Sequence, residues 1–371
     1  MTVPFFPPDL FEADRAVLLD LVREIGTDPR QTFILGPRTA RFERELADSV
    51  GAREAVCCGS GTGALTLVLA AMGVGPGDEV VVPALGCAPL AATVVNLGAT
   101  PVFADVDAYR LVVDPDRAAG AVTSRTRALM PAHLFSTMAD MPRFRDLASA
   151  YRLRLVEDSA VGQGGVLAGV PAGRWGDAGV YSFVQVKTFG TAGEGGAVVT
   201  DDEDLARTVR RLRNHGQRSR FRYAAIGYNS RFDEVLAAFQ SYRLPGFPAR
   251  LARRAAIADH YSERFAGLPG VLAPPPGRDG RCAYVYTLLA DRRDELSGHL
   301  AAHGIESHVY YPRALPYQPA FARYAPPGVR WPHAESAADR MLSIPVHHLL
   351  TDAQVEHIAD TVCSFAAARV A

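Results

Sequence analysis

The chain has 371 residues, nearly half of them apolar, and a formal net charge of −1 at neutral pH. That length supports one large and one smaller core, and the charge balance gives no handle for nucleic acid or an anionic membrane surface. No apolar run reaches the ~18 residues that span a bilayer, and the start Met1-Thr2-Val3-Pro4-Phe5-Phe6-Pro7-Pro8 lacks the basic and apolar regions of a secretory signal, so no membrane association and a cytoplasmic location are expected.

The segment before residue 54 reads as helical. From about residue 54 to 213, short β-branched runs alternate with helix-length segments. The strand-like runs are Glu54–Cys58, Glu79–Pro83, Thr100–Ala104, Ala128–His133, Leu153–Glu157, Gly179–Phe183 and Gly196–Thr200. Helical patterns lie between them at Ala64–Met72, Pro89–Leu97, Met141–Tyr151 and Asp202–Arg213. This rhythm predicts an α/β fold with a mostly parallel sheet flanked by helices, whose ligands bind at the carboxyl ends of strands. A helix beginning at Asp233 breaks at Pro245 and Pro248, and an arginine- and alanine-rich helix follows over Ala249–Phe265. Proline-rich punctuation then leads into a smaller α+β region ending in helix Asp352–Ala367, which divides the chain into 1–245 and 246–371. The cysteines Cys57, Cys58, Cys87, Cys282 and Cys363 form no CxxC pair, and the histidines no HExxH set. Free thiols and no metal site are expected.

Three stretches carry chemistry. Gly59-Ser60-Gly61-Thr62-Gly63-Ala64 follows a strand and opens a helix, where free backbone N–H groups and the helix dipole cradle an anion. The same turn fits a dinucleotide pattern with Asp78 or Glu79 near ribose distance, so a nicotinamide-dependent dehydrogenase competes with a plain structural turn. Glu157-Asp158 closes a strand, and Asp158 either caps the next turn or holds a cofactor's pyridine nitrogen protonated. Lys187 lies between the apolar run at Tyr181–Val184 and the turn Gly193-Glu194-Gly195-Gly196. It is either a surface lysine in a loop or an amine desolvated and aimed at a carbonyl, as Schiff-base chemistry needs. A dehydrogenase has no use for Lys187 and Asp158 together, whereas a pyridoxal phosphate enzyme needs both.

The order of motifs resembles the DegT/DnrJ/EryC1/StrS family of pyridoxal phosphate enzymes, chiefly aminotransferases of keto-sugars and keto-cyclitols, over nearly the whole length. The likeness runs through Phe33-Ile34-Leu35-Gly36-Pro37, Gly61-Thr62, Gly77-Asp78-Glu79-Val80, His133-Leu134-Phe135, Ala139-Asp140-Met141, Glu157-Asp158, Ser182-Phe183, Lys187 and Glu194-Gly195-Gly196. It continues through Arg213-Asn214-His215-Gly216, Gly227-Tyr228-Asn229-Ser230-Arg231, Tyr311-Pro312, Gln318-Pro319-Ala320 and Leu342-Ser343-Ile344-Pro345.

The resemblance implies the fold-type I architecture, a large cofactor domain plus a smaller C-terminal α+β domain. It also implies pyridoxal 5′-phosphate held as an internal aldimine by Lys187, with Asp158 on the pyridine nitrogen. Gly61, Thr62 and Ser182 would hold the phosphate, and Asn229 would reach the phosphate of the neighbouring subunit in a homodimer. Glutamate or glutamine would donate nitrogen, through the pyridoxamine form, to a keto-sugar or keto-cyclitol, with Lys187 as general acid/base. Three positions depart from the pattern: Cys87 stands where an aromatic ring usually meets the cofactor, Val161 where Gln or His is usual, and Pro316 where a histidine is common. Gln163 lies near Val161. Another reaction on this scaffold, such as a dehydratase or aminoshikimate-type activity, and a non-catalytic cofactor-binding regulator are the alternatives. Loops near Arg218–Tyr223 and His308–Tyr317 and the N-terminal segment are expected to face the substrate.

Overall fold

The computed structural model describes residues 2–6, 11–30, 32–135 and 137–368. Its central sheet is made by β1 (Glu54–Cys58), β2 (Glu79–Pro83), β3 (Thr100–Ala104), β4 (Thr126–Leu129), β5 (Arg154–Asp158), β6 (Ala178–Ser182) and β7 (Gly196–Thr200). In space they run β1-β7-β6-β5-β4-β2-β3. The pairs from β6 to β3 are parallel, and β7 lies antiparallel to both β1 and β6. Sheets of this kind are covered on both faces, so their strands read as continuous apolar runs. Accordingly β2 and β7 are buried at every position.

Helices α1 (Arg15–Thr27) and α2 (Pro37–Val50) precede the sheet, and α3 (Gly61–Ala71), α4 (Pro89–Asn96), α5 (Met141–Tyr151) and α6 (Glu203–Leu212) are interleaved with it. Asp140 and Asp202 cap α5 and α6 with their side chains, and Leu205, Ala206, Val209 and Leu212 form the buried stripe of α6. The strand expected at Ala128–His133 ends at Leu129 because Pro131 has no N–H to give the ladder. The chain stays extended beyond it: Asp158 N–H donates to Pro131 O at 2.9 Å, and His133 N–H to Asp158 O at 3.0 Å.

After α7 (Glu234–Arg243) comes the long α8 (Phe247–Arg264). Beyond it, β8 (Val271–Leu272), β9 (Tyr286–Ala290) and β10 (Met341–Ile344) form an antiparallel sheet with β9 in the middle, joined by α9 (Arg293–Ala302) and α10 (Asp352–Ala367). Tyr261, Phe265, Tyr286, Leu288, Leu342 and Ile358 make its core. Val3 is buried in that same core and bridges to Ile305, so the N-terminal strand ties the start of the chain to the last third.

Candidate active site

The phosphate-type turn forms where β1 gives way to α3. Ser60 caps the helix, its hydroxyl accepting from Gly63 N–H at 2.9 Å, and the amides of Gly61 and Thr62 open the helix N-terminus. A Cβ at Gly61 would lie 2.8 Å from Ser182 Cβ, so the turn and the end of β6 close on each other only because residue 61 is glycine. Ser230 arrives from the other side: its carbonyl accepts from Gly59 N–H at 3.1 Å, and its Oγ would sit 2.5 Å from a Cβ at Gly63. Gly61, Thr62 and Ser182 therefore share one corner, where amide donors, a hydroxyl and the positive end of α3 favour a dianion. Asn229 lies on its exposed rim, with its side-chain oxygen accepting from Arg231 Nε at 3.0 Å.

Asp158 ends β5 and is almost wholly buried. One carboxylate oxygen accepts from Ala160 N–H at 3.0 Å. Burial raises its pKa above the ordinary carboxylate value, while the Ala160 N–H and the nearby Lys187 pull the other way. Lys187 is half-buried, and its Nζ stands 4.7 Å from the centre of the Tyr284 ring. Its loop is pinned on both sides. Phe183 and Phe189 are fully buried beside it, each burial worth about 2 kcal/mol. Gln240 Nε2 donates to Phe189 O at 3.0 Å, and Arg243 Nη1 donates to Gly190 O.

Cys87 faces the same centre. Its thiol is pushed up to about 12, first by burial and then by Asp158, with Lys187 opposing. Tyr311 comes in from the last third of the chain with its hydroxyl on Cys87, and burial drives that phenol well above its ordinary value. Phe135 packs on Tyr311 with ring centroids 5.6 Å apart, and Tyr310 meets Tyr284 hydroxyl to hydroxyl at 3.4 Å. Lys187, Asp158 and Cys87 thus converge, with Gly61, Thr62 and Ser182 on the neighbouring strand ends. Val161 is buried, and Pro316 is buried without a polar group to offer. Tyr284 is a residue that sequence reasoning missed, since nothing in Cys282-Ala283-Tyr284-Val285-Tyr286 announces a partner almost one hundred positions away. A second signal was in the sequence all along: Lys187 is the only lysine among 39 basic residues. Everywhere else a guanidinium serves, but a guanidinium cannot replace a primary amine as a nucleophile toward a carbonyl.

Residues 19–363 match the model of the DegT/DnrJ/EryC1/StrS aminotransferase family. The chain belongs to this family. It is 39% identical over 335 residues to the dTDP-3-amino-3,4,6-trideoxy-alpha-D-glucose transaminase of Streptomyces venezuelae, covering 90% of this chain and 88% of that one. It is 35% identical over 369 residues to the pleiotropic regulatory protein of Geobacillus stearothermophilus, covering 98% and 99%. The crystal structure of S. venezuelae DesV in complex with a ketimine intermediate superposes with a TM-score of 0.94 at 37% identity, covering 98% of each chain. The protein is an aminotransferase of the DegT/DnrJ/EryC1/StrS family, and its cofactor is pyridoxal 5′-phosphate.

The residues present fit that cofactor. The glycine at 61 leaves a corner that a Cβ would fill, lined by Ser182 and the first amides of α3. Among the described residues, Asp158 is a buried carboxylate with a single backbone donor, and the carboxamide oxygen of buried Gln163, five residues on, has no hydrogen-bond partner. Lys187 would supply the amine. The nicotinamide reading of the glycine turn is no longer needed.

Proposed function

We propose that the chain transfers an amino group from glutamate or glutamine to the keto carbon of a nucleotide-linked sugar, using Lys187 as its covalent anchor and proton carrier. The observation that carries this reading is the placement of the sole lysine beside Asp158 and the Tyr284 ring. When bound, pyridoxal phosphate supplies a carbonyl carbon that exchanges amines and a ring that withdraws electrons from the adjacent bond. Gly61, Thr62 and Ser182 would bind its phosphate, and Asp158 would hold a proton on its ring nitrogen. Lys187 Nζ, once free, would take and return a proton under the shelter of the Tyr284 ring. Cys87 and Val161 would meet the cofactor ring through small apolar surfaces rather than a stacked aromatic one.

Relatives support the sugar and its nucleotide handle: one acts on a dTDP-sugar, and another, at 38% identity, is a UDP-N-acetyl-3-dehydro-alpha-D-glucosamine 3-aminotransferase of Acidithiobacillus ferrooxidans. The antiparallel hairpin of Gln217–Ser219 and Arg222–Tyr223 adds chemistry suited to a nucleoside diphosphate. It presents Arg218, Arg220 and Arg222 with Phe221 and Tyr223, all exposed, and Arg220 lies 5.1 Å over the Phe221 ring. A homodimer fits the exposure of Asn229 and its apolar neighbours, residues 1–245 and 246–371 serve as cofactor and closing domains, and a cytoplasmic setting suits the free thiols.

The test is single-turnover spectroscopy of the purified protein with glutamate and with glutamine, followed by a panel of free and nucleotide-linked keto-sugars. One donor should convert the visible cofactor band to the aminated form, and nucleotide-linked keto-sugars should restore it faster than free ones. A band that no amino donor bleaches would sink transamination, and equal rates for free sugars would sink the nucleotide handle.

A further inference from the structure

β5 ends in two successive carboxylates, and strand alternation sends them to opposite faces. Asp158 turns toward Lys187, whereas Glu157 turns into a buried layer where its side chain has no exposure at all. Four donors meet it there: Gly173 N–H at 2.6 Å, Trp175 N–H at 2.9 Å, the Ser159 hydroxyl at 3.2 Å, and His133 Nε2 at 2.6 Å. So many donors on two oxygens suit a carboxylate anion. His133 is equally buried, and its other nitrogen, Nδ1, accepts from Ala139 N–H at 3.1 Å. An Nδ1 that accepts an amide carries no proton, so the ring is neutral and donates from Nε2 to Glu157.

Residue 133 is tied to the Asp158 segment twice. Its backbone N–H donates to Asp158 O at 3.0 Å, which fixes the register of the aspartate. The turn after Asp158 lies on the ring, where a Cβ at Gly162 would come 2.6 Å from His133 Cδ2. The next residue, Gln163, accepts at its carbonyl from the Thr188 hydroxyl at 3.4 Å, beside Lys187. The His133 side chain therefore packs on the turn that follows Asp158, and that turn, through Gln163, meets the Lys187 loop. Resting on the reading of Asp158 as the ring-nitrogen partner, we propose that His133 is a positioning residue: locked as its Nε2–H tautomer by Ala139 and Glu157, it sets where Asp158 stands relative to Lys187.

The hydrogen bond, not the filling of space, is the claim, and two substitutions separate them. His133→Gln keeps a donor that reaches Glu157 but loses the ring. His133→Phe keeps the ring and loses the donor. Pyridoxal phosphate affinity of the cofactor-stripped protein, measured by equilibrium dialysis, should stay within about threefold of wild type for His133→Gln and weaken by about tenfold or more for His133→Phe. Glu157→Gln, which sets a donor against the Trp175 N–H, should weaken it as His133→Phe does and stands in if that variant fails to fold. Imidazole ¹⁵N spectra of the wild type should show Nε2 protonated and Nδ1 bare. Tight binding by His133→Phe, an equal loss in His133→Gln, or a ring protonated at Nδ1 would overturn the proposal. Absence of binding by the wild type would instead strike the cofactor reading on which it rests.

Discussion

Asp158 is an expensive group while the cofactor is away, because it gives up bulk water for a single backbone donor among the described residues. Its pKa is raised first of all by burial, so between the unfolded value of 3.8 and the higher folded one the folded chain binds more protons than the unfolded chain. Stability then falls as pH rises through that window, the opposite of a salt-bridged carboxylate. Asp158→Asn should accordingly melt higher than wild type in the cofactor-free state at neutral pH, with the gap closing as the pH is taken below about 4. The same variant should bind pyridoxal phosphate about tenfold more weakly. Thermal melts across pH read the first effect and dialysis the second; a variant no more stable at any pH would show that the carboxylate carries no burial cost. Lys187 makes the complementary point. A chain that meets nearly every need for positive charge with arginine has kept one amine, and kept it where it faces this carboxylate and an aromatic ring.

At the scale of elements, what was legible followed from local chemistry. Glu54–Cys58, Glu79–Pro83, Thr100–Ala104 and Gly196–Thr200 stand where their apolar runs place them, and so do the helices Met141–Tyr151 and Asp352–Ala367. The run read as Ala128–His133 instead yields β4 at Thr126–Leu129, because the pattern of side chains does not register that Pro131 lacks a donor. The Gly59–Gly63 turn was recognisable because strand, glycine and helix follow one another directly. Tyr284 was not legible as a site residue, since it reaches Lys187 only through packing between distant parts of the chain; Tyr311 lay in the loop His308–Tyr317 expected to face the substrate, but its contact with Cys87 depends on the same distant packing. The Glu157–His133 pair was hidden for a related reason: an acid and a histidine 24 positions apart say nothing until parallel strands bring them together.

At the scale of the whole molecule, the features around Asn229 make sense with a second copy of the chain. Ile226 is 96% exposed, Phe221 72% and Tyr223 62%, more apolar surface than a single chain has reason to present on one loop. Asn229 sits on the same loop, on the rim of the phosphate corner. In the proposed dimer this loop packs against the partner and delivers Asn229 to its site. Ile226→Arg should shift the sedimentation equilibrium toward monomer and weaken cofactor binding in parallel, with little change in the fold. A variant that remains dimeric with full cofactor affinity, or a wild type that sediments as a monomer, would remove this loop from the interface.

The central claim is that one amine in the chain carries the chemistry, and the sole lysine makes it unusually direct to test. Reduction of the cofactor-bound protein with borohydride, followed by digestion and mass spectrometry, should place the pyridoxyl label on the peptide containing Lys187, with only the N-terminal amine as a competitor, and Lys187→Arg should lose both label and turnover while folding normally. A wild type that binds pyridoxal phosphate yet shows no label at Lys187, or a Lys187→Arg variant that still transaminates, would contradict the account.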